Sequence, residues 1–211
     1  MTAASEYVGA YPQLEERTYV WREIARYVRR DAPAVGTLVE MGPGYCDFIN
    51  HFPASRKIAF DLNPEMLDHA AEDVDLRIQD ARHLPAVGRG SVDLVFASNF
   101  LEHLSEPDAA RFLSDARDVL SERGRLILLQ PNHRRCAEHY FDDPTHRTIF
   151  DHLNIYDWLT RHGLRARRVV PGLLPFSMKS RLPKWPMLVR LYLNSPIRPL
   201  GAQMYVVAER A

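Results

Sequence analysis

The sequence predicts an α/β fold with an open, mostly parallel sheet flanked by helices, and three observations predict it. Apolar runs of strand length alternate with amphipathic stretches of helix length along the 211 residues, as when strands cross over through helices. Residues 92–97 are near-continuously apolar, the pattern of a strand buried on both faces. Residues 35–62 (VGTLVEMGPGYCDFINHFPASRKIAFDL) read as strand, glycine turn, short helix and strand, the first half of a sheet that binds a nucleoside or phosphate at its turn.

Bulk properties agree with a single domain over residues 1–211. Apolar residues make up 46% and charged residues 26%, the balance of an ordinary globular protein. No apolar run reaches the ~18 residues that span a bilayer, and the N-terminus lacks a signal-peptide core. Two cysteines, Cys46 and Cys136, make no disulfide framework, so a reducing cytoplasm is the expected location. The net charge is zero but unevenly spread: residues 158–208 hold nine Lys or Arg and no acid. Two readings stay open, solvated arginines or a basic face for a phosphate-bearing acceptor or an anionic membrane surface.

The elements follow in order. Residues 1–12 lack periodicity, whereas Leu14, Trp21, Ile24 and Val28 fall at helical spacing within residues 13–30, so a helical cover is expected over about 1–32. Strands are expected at 37–41, 57–61, 76–79, 92–97, 125–130, around Val169 and Val170, and at 204–208. Pro64 suits the first turn of a helix reaching Ala71. A polar loop with Gly88 and Gly90 precedes the fourth strand. Ser105, Pro107 and Asp108 mark a helix start, with Ala109, Phe112, Ala116, Val119 and Leu120 as its buried stripe. Asn154 is expected to cap a helix ending near Gly163. Between the last two strands, residues 171–201 form an insertion with six prolines, in which Pro186 opens a short helix.

The chemistry-bearing residues gather where strands end. Gly42 and Gly44 let the chain turn sharply and let a ligand approach bare backbone. Asp61 lies 19 residues beyond Gly42, close to the spacing at which a carboxylate meets a ribose diol. Beyond the fourth strand stands His103, and beyond the fifth His146, in a loop with Asp142 and Asp143. Each histidine reads as a general base or as a structural residue. The set His133, Cys136, His139, Asp142 and His146 matches no common zinc spacing, so no metal is expected.

Four blocks now match one pattern: Glu40-Met41-Gly42-Pro43-Gly44, Phe60-Asp61-Leu62-Asn63-Pro64, Gln79-Asp80-Ala81 and Ser98-Asn99-Phe100-Leu101-Glu102-His103-Leu104. Over roughly residues 35–170 the chain resembles the class I S-adenosylmethionine-dependent methyltransferases, which implies a Rossmann-like seven-stranded sheet and S-adenosyl-L-methionine as cofactor. The resemblance implies that the Gly42–Gly44 turn passes under the methionine part and that Glu40 helps hold its amino group. It also implies that Asp61 takes the ribose hydroxyls, Leu62 covers the adenine, Asp80 and Ala81 meet the adenine edge, and Asn99 and Phe100 line the pocket near the sulfonium. One departure is Cys46, where the family commonly has a third small residue, usually glycine; packing is favoured over a reactive thiol there.

Residues 140–146, 179–183 and 188–193 resemble a bacterial subgroup found among genes for surface polysaccharides or secondary metabolites. The implied reaction is O-methylation of a small-molecule, sugar or glycan-precursor hydroxyl, with His146 or His103 as base. A cofactor-binding member without methyl transfer and a nicotinamide-dependent oxidoreductase are the alternatives. No nucleic-acid partner is expected, since no Asn-Pro-Pro-Tyr-type block appears. The insertion, with Leu173, Leu174, Phe176 and Met178 beside Lys179 and Arg181, reads as an acceptor lid, a homodimer seam or a peripheral membrane contact.

Overall fold

The structure is a computed structural model and describes residues 15–175 and 185–211. Seven strands form one sheet: β1 (Thr37–Met41), β2 (Arg56–Asp61), β3 (Val74–Ile78), β4 (Val92–Ser98), β5 (Leu120–Pro131), β6 (Leu164–Pro175) and β7 (Gly201–Arg210). Their order is β3-β2-β1-β4-β5-β7-β6. Strands β1 to β5 pair in parallel, while β7 runs antiparallel to both β5 and β6. In register, Met41 faces Phe60 and Ala97, and Asp61 faces Ile78. The ends of β1, β2 and β4 therefore open on one edge, where ligands of such sheets bind.

Side chains alternate between the two faces at period 2, and each face buries its own cluster. Val39, Met41, Ile58, Phe60 and Val95 meet Phe112, Leu113 and Ala116 of α3 (Glu106–Val119) and Ile155 and Leu159 of α5 (Asn154–Arg161). Leu38, Ala59, Leu94, Phe96 and Tyr205 meet α1 (Glu15–Val28), α2 (Asp47–His51) and α6 (Pro186–Asn194). Val20, Ile24 and Val28, one face of α1 at helical spacing, are buried there. Phe48 stacks on Phe96 with ring centroids 3.7 Å apart, and Trp21 meets both edge-on. Truncating Phe48 to alanine removes the centre of this stack, a change worth about 3–5 kcal/mol.

Local chemistry explains most boundaries. Ser105 accepts the Asp108 N–H at 3.3 Å and starts α3, as its sequence signature predicts. At α5 the cap is Asp151 instead of Asn154: its Oδ1 accepts the N–H groups of Leu153 (2.7 Å) and Asn154 (2.8 Å). A carboxylate can take two orphan donors at once, and the Asn154 side chain turns back to the Asp151 N–H. The expected helix after Pro64 is a 3-10 helix, Pro64–His69, with no buried residue; without an apolar face to pack, it has nothing to extend it. The expected polar loop contains a second 3-10 helix, Ala81–Val87, anchored by buried Leu84 and Val87.

One residue of the insertion belongs to the core. Leu173 is fully buried and sits with Val189 and Leu193 in the cluster under α1 and α6, so it belongs to β6 and the core. Phe176, Met178, Lys179 and Arg181 lie outside the described residues. Helix α6 packs on α1, where Arg190 forks onto Glu23 at 2.9 and 3.0 Å.

The acid-free basic stretch finds its acids elsewhere in the fold. Arg165, Arg167 and Arg125 surround Glu209 of β7. Arg168 pairs with Asp31, and Arg161 with Asp157. Each of these arginines thus has an acid in reach, but three of them share the one Glu209 carboxylate, so positive charge remains in excess at that edge. Among the described residues, no helix is long and apolar enough to cross a membrane.

Candidate active site

The turn after β1 is built from left-handed backbone. Gly42 (φ 62°), Gly44 (φ 54°) and Cys46 (φ 56°) all lie in that region. A Cβ added at Gly42 would stand 3.2 Å from the Phe100 ring, so a side chain there would meet the aromatic wall as well as strain the turn. The Cys46 position wants glycine for the same backbone reason, yet its side chain is buried against the Gly44 and Met66 carbonyls. Burial pushes its thiol up to about 12, which makes it a packing group.

Glu40 has an internal partner. It is 2% exposed, and its Oε2 accepts the Ile49 N–H at 3.0 Å. The carboxylate thus holds α2 against the strand that the glycine turn leaves, and burial pushes its pKa well above the ordinary range.

At the end of β2, Asp61 accepts the Asn63 N–H at 2.9 Å. Burial raises its pKa, while main-chain N–H groups of Asn63, Gly44 and Leu62 counter the rise. The exposed side chains of Leu62 and Ile78 (55% and 39%) lie beside that carboxylate, Ile78 being the β3 register partner of Asp61. An apolar pair next to a hydrogen-bonding carboxylate is the surface a nucleoside needs, a ring face and a diol acceptor.

Asp80 caps the following 3-10 helix through the Arg82 N–H (2.9 Å) and is paired with the Arg82 guanidinium, which holds its pKa at about 2. Ala81 opens that helix. Arg17, which the sequence patterns did not single out, stands at the turn: its Nε meets Asp47 at 2.6 Å and its plane lies over the Trp21 and Tyr45 rings. A Cβ at Gly44 would come 3.9 Å from its Nη2.

The other half of the site follows β4 and β5. Asn99 is left-handed (φ 47°); its N–H meets the Leu129 carbonyl at 2.9 Å and its Oδ1 accepts from Gln203 Nε2 at 3.0 Å. Phe100 packs edge-on to Phe112. His103 and His146, 43 residues apart in sequence, come together with ring centroids 4.9 Å apart.

His103 Nδ1 lies 2.9 Å from the Thr145 hydroxyl, which itself donates to Asp143 at 2.5 Å. Burial first, then the neighbouring imidazole, pulls His103 down to about 4. His146 Nδ1 faces the Tyr140 carbonyl at 2.5 Å. A carbonyl only accepts, so Nδ1 carries the hydrogen, and in the neutral ring Nε2 holds the lone pair.

Glu102 completes the group. It is 1% exposed, and among the described residues neither carboxylate oxygen has a hydrogen-bond partner; burial pushes its pKa up to about 8. One ligand atom each of Glu102, His103 and His146 lies within 4.8 Å of the others. The set His133, Cys136, His139, Asp142 and His146 does not gather: His139 pairs with Asp142 at the exposed surface, and Cys136 is turned to the Asn132 carbonyl.

Comparison with known proteins agrees with this geometry. Residues 39–128 match a family model described as a methyltransferase domain. A 37.1 kDa protein of a Streptomyces fradiae transposon is 28% identical over 123 residues, 56% of this chain and 34% of that protein. The malonyl-[acyl-carrier protein] O-methyltransferase of Hahella chejuensis is 36% identical over 83 residues, 37% of this chain and 29% of its own length. The chain thus spans about a third of the length of these curated relatives. A solved S-adenosylmethionine-dependent methyltransferase from Archaeoglobus fulgidus superposes with a TM-score of 0.65 at 18% identity, covering 92% of this chain and 94% of that one; it shares the fold. The glycine turn under Phe100 and the Asp61 carboxylate beside Leu62 and Ile78 lie within the residues that match the methyltransferase-domain model, and the sheet has the fold of solved S-adenosylmethionine-dependent methyltransferases.

Proposed function

We propose that the protein transfers a methyl group from S-adenosylmethionine to a hydroxyl of a small molecule, sugar or glycan precursor, with the His103–His146 pair receiving the acceptor. The pairing of these two rings at the site's acceptor half is the observation that carries the reading. When bound, the cofactor supplies a methyl group on a positively charged sulfur, open to in-line attack. The rest is work for the chain: holding the cofactor, aligning the acceptor, excluding water and taking up a proton.

Gly42, Gly44 and Arg17 suit the methionine end, where the guanidinium, held by Asp47, would supply positive charge for its carboxylate. Asp61 suits the ribose, with Leu62 and Ile78 on the adenine face and Asp80 and Ala81 at its edge. Asn99, held from two sides, and Phe100 border the sulfonium. His146, its Nδ1–H engaged by Tyr140, has Nε2 to accept the hydroxyl proton, and His103 packs beside it. The name of the Hahella relative, an O-methyltransferase, favours oxygen as the methylated atom.

The test is to identify the product by mass spectrometry after incubating extracts with isotope-labelled cofactor, and then to assay His146→Ala on that acceptor. The expected result is unchanged cofactor binding with transfer lowered by about 10²–10⁴. Full turnover by a His103→Ala, His146→Ala double variant would overturn the assignment.

A further inference from the structure

Glu102 poses a physical problem that the acceptor reading leaves unused. Its carboxylate is buried with neither oxygen hydrogen-bonded among the described residues, and a buried acid without a partner is costly. Its immediate neighbours are the two imidazoles, His103 and His146. We propose that Glu102, His103 and His146 form a binding site for one divalent transition-metal cation, of the Mn2+, Co2+ or Zn2+ class.

The donor set and its surroundings argue for this. Two imidazole nitrogens and one carboxylate oxygen, with positions left over, suit first-row divalent ions better than Ca2+ or Mg2+, which prefer all-oxygen shells. The three atoms lie within 4.8 Å of one another; around one tetrahedral ion, bonds of about 2.1 Å set ligand atoms about 3.4 Å apart, so a side-chain adjustment of at most about 1.4 Å closes the shell. His146 donates Nδ1–H to the Tyr140 carbonyl, the outer-shell bond that sets a ligating imidazole's tautomer and orientation. His103 is oriented in turn by Thr145, and Thr145 by Asp143. The cation would give the buried carboxylate the opposite charge it lacks.

The site uses the residues of the acceptor reading but not its chemistry. A cation and an acceptor proton compete for the same imidazole lone pair, so a loaded centre would engage the hydroxyl as an oxygen ligand at an open position, and an unloaded one as a proton donor to His146.

Chelator-treated full-length protein is titrated with Co2+ while its visible absorption is recorded, and Zn2+ is then added as competitor. One equivalent should bind with ligand-field bands that Zn2+ abolishes. Affinity should fall at least tenfold in Glu102→Gln and in His146→Ala, and stay as in wild type in His139→Ala. Thermal melts and binding of the demethylated cofactor check that each variant folds; if Glu102→Gln does not, His103→Ala takes its place. No saturable binding to the wild type, or equal affinity in the variants, would overturn the site. Methylation by protein that binds no Co2+ would sink the cation and spare the acceptor reading; stoichiometric Co2+ binding with no methylated hydroxyl would do the reverse.

Discussion

Gln203 on the reversed strand β7 donates its Nε2–H to Asn99 Oδ1 across 3.0 Å, fastening the left-handed residue at the end of β4 from the far side of β5. Asn99 has no helix or strand to hold its φ of 47°, so this bond and the one from its N–H to Leu129 set where the following Phe100 points. Replacing Gln203 with leucine should weaken S-adenosylmethionine binding about five- to tenfold, the worth of one hydrogen bond of about 1 kcal/mol, with little change in Tm. Calorimetric titration checks it, and an unchanged Kd would mean that Leu129 alone positions the residue.

Asp61 offers the sharper test of the cofactor half. Its carboxylate already accepts main-chain N–H groups and, of about four lone-pair sites, retains at least one for a ribose hydroxyl. Asp61→Ala should raise the Kd for the cofactor and its demethylated product about a hundredfold, from the loss of charged hydrogen bonds worth about 1.5–3 kcal/mol. Binding within a factor of three of wild type would move the ribose elsewhere.

Stability should depend on pH through Glu40. An acid harder to ionise in the folded chain stabilises fully below its unfolded pKa, here 4.5, and that contribution is lost as pH rises towards the folded value. The wild-type Tm should therefore fall more steeply as pH rises above about 5 than that of Glu40→Gln, whose amide oxygen still accepts the Ile49 N–H. Parallel Tm curves would show that the carboxyl ionises freely in the folded protein.

Both thiols should be silent in the native state. Burial pushes Cys46 to about 12 and Cys136 to about 11, so a thiol-reactive disulfide at mildly alkaline pH should label neither until denaturant is added. Rapid labelling of Cys46 in the folded protein would revive the reactive-thiol reading.

What the sequence showed, and what it hid, divides along a physical line. Strands β1, β2 and β4 were legible because burial on both faces writes a continuous apolar run, and the expected site residues Glu40, Asp61 and Asn99 stand at or just beyond the ends of those strands, whereas Asp80 and Ala81 follow β3. The Ser105 cap is a local signal and was read correctly. Partners fixed only by tertiary structure were not visible. Asp151 displaced Asn154 as the cap of α5, Glu209 met three arginines only through the β5–β7–β6 register, and Leu173 proved to be core. The closeness of Glu102, His103 and His146 depends on how the loop after β5 folds back, which Tyr140 and Thr148 arrange by bonding to each other and to Glu102 and Leu104. Arg17 had only helical spacing behind it, and spacing says nothing of a side chain reaching past its own helix.

The placement of β7 also dictates a timetable. It lies between β5 and β6, both made before it, and among the described residues β6 has no other strand partner. Until residues 201–210 slot in, β5 and β6 each present a bare hydrogen-bonding edge, the kind of surface that captures other chains. Closing that gap joins residues far apart in sequence, which slows folding. The strand that completes the sheet is thus the one that also delivers Gln203 to Asn99, so a chain stalled before it would be both sticky and without the bond that fastens Asn99.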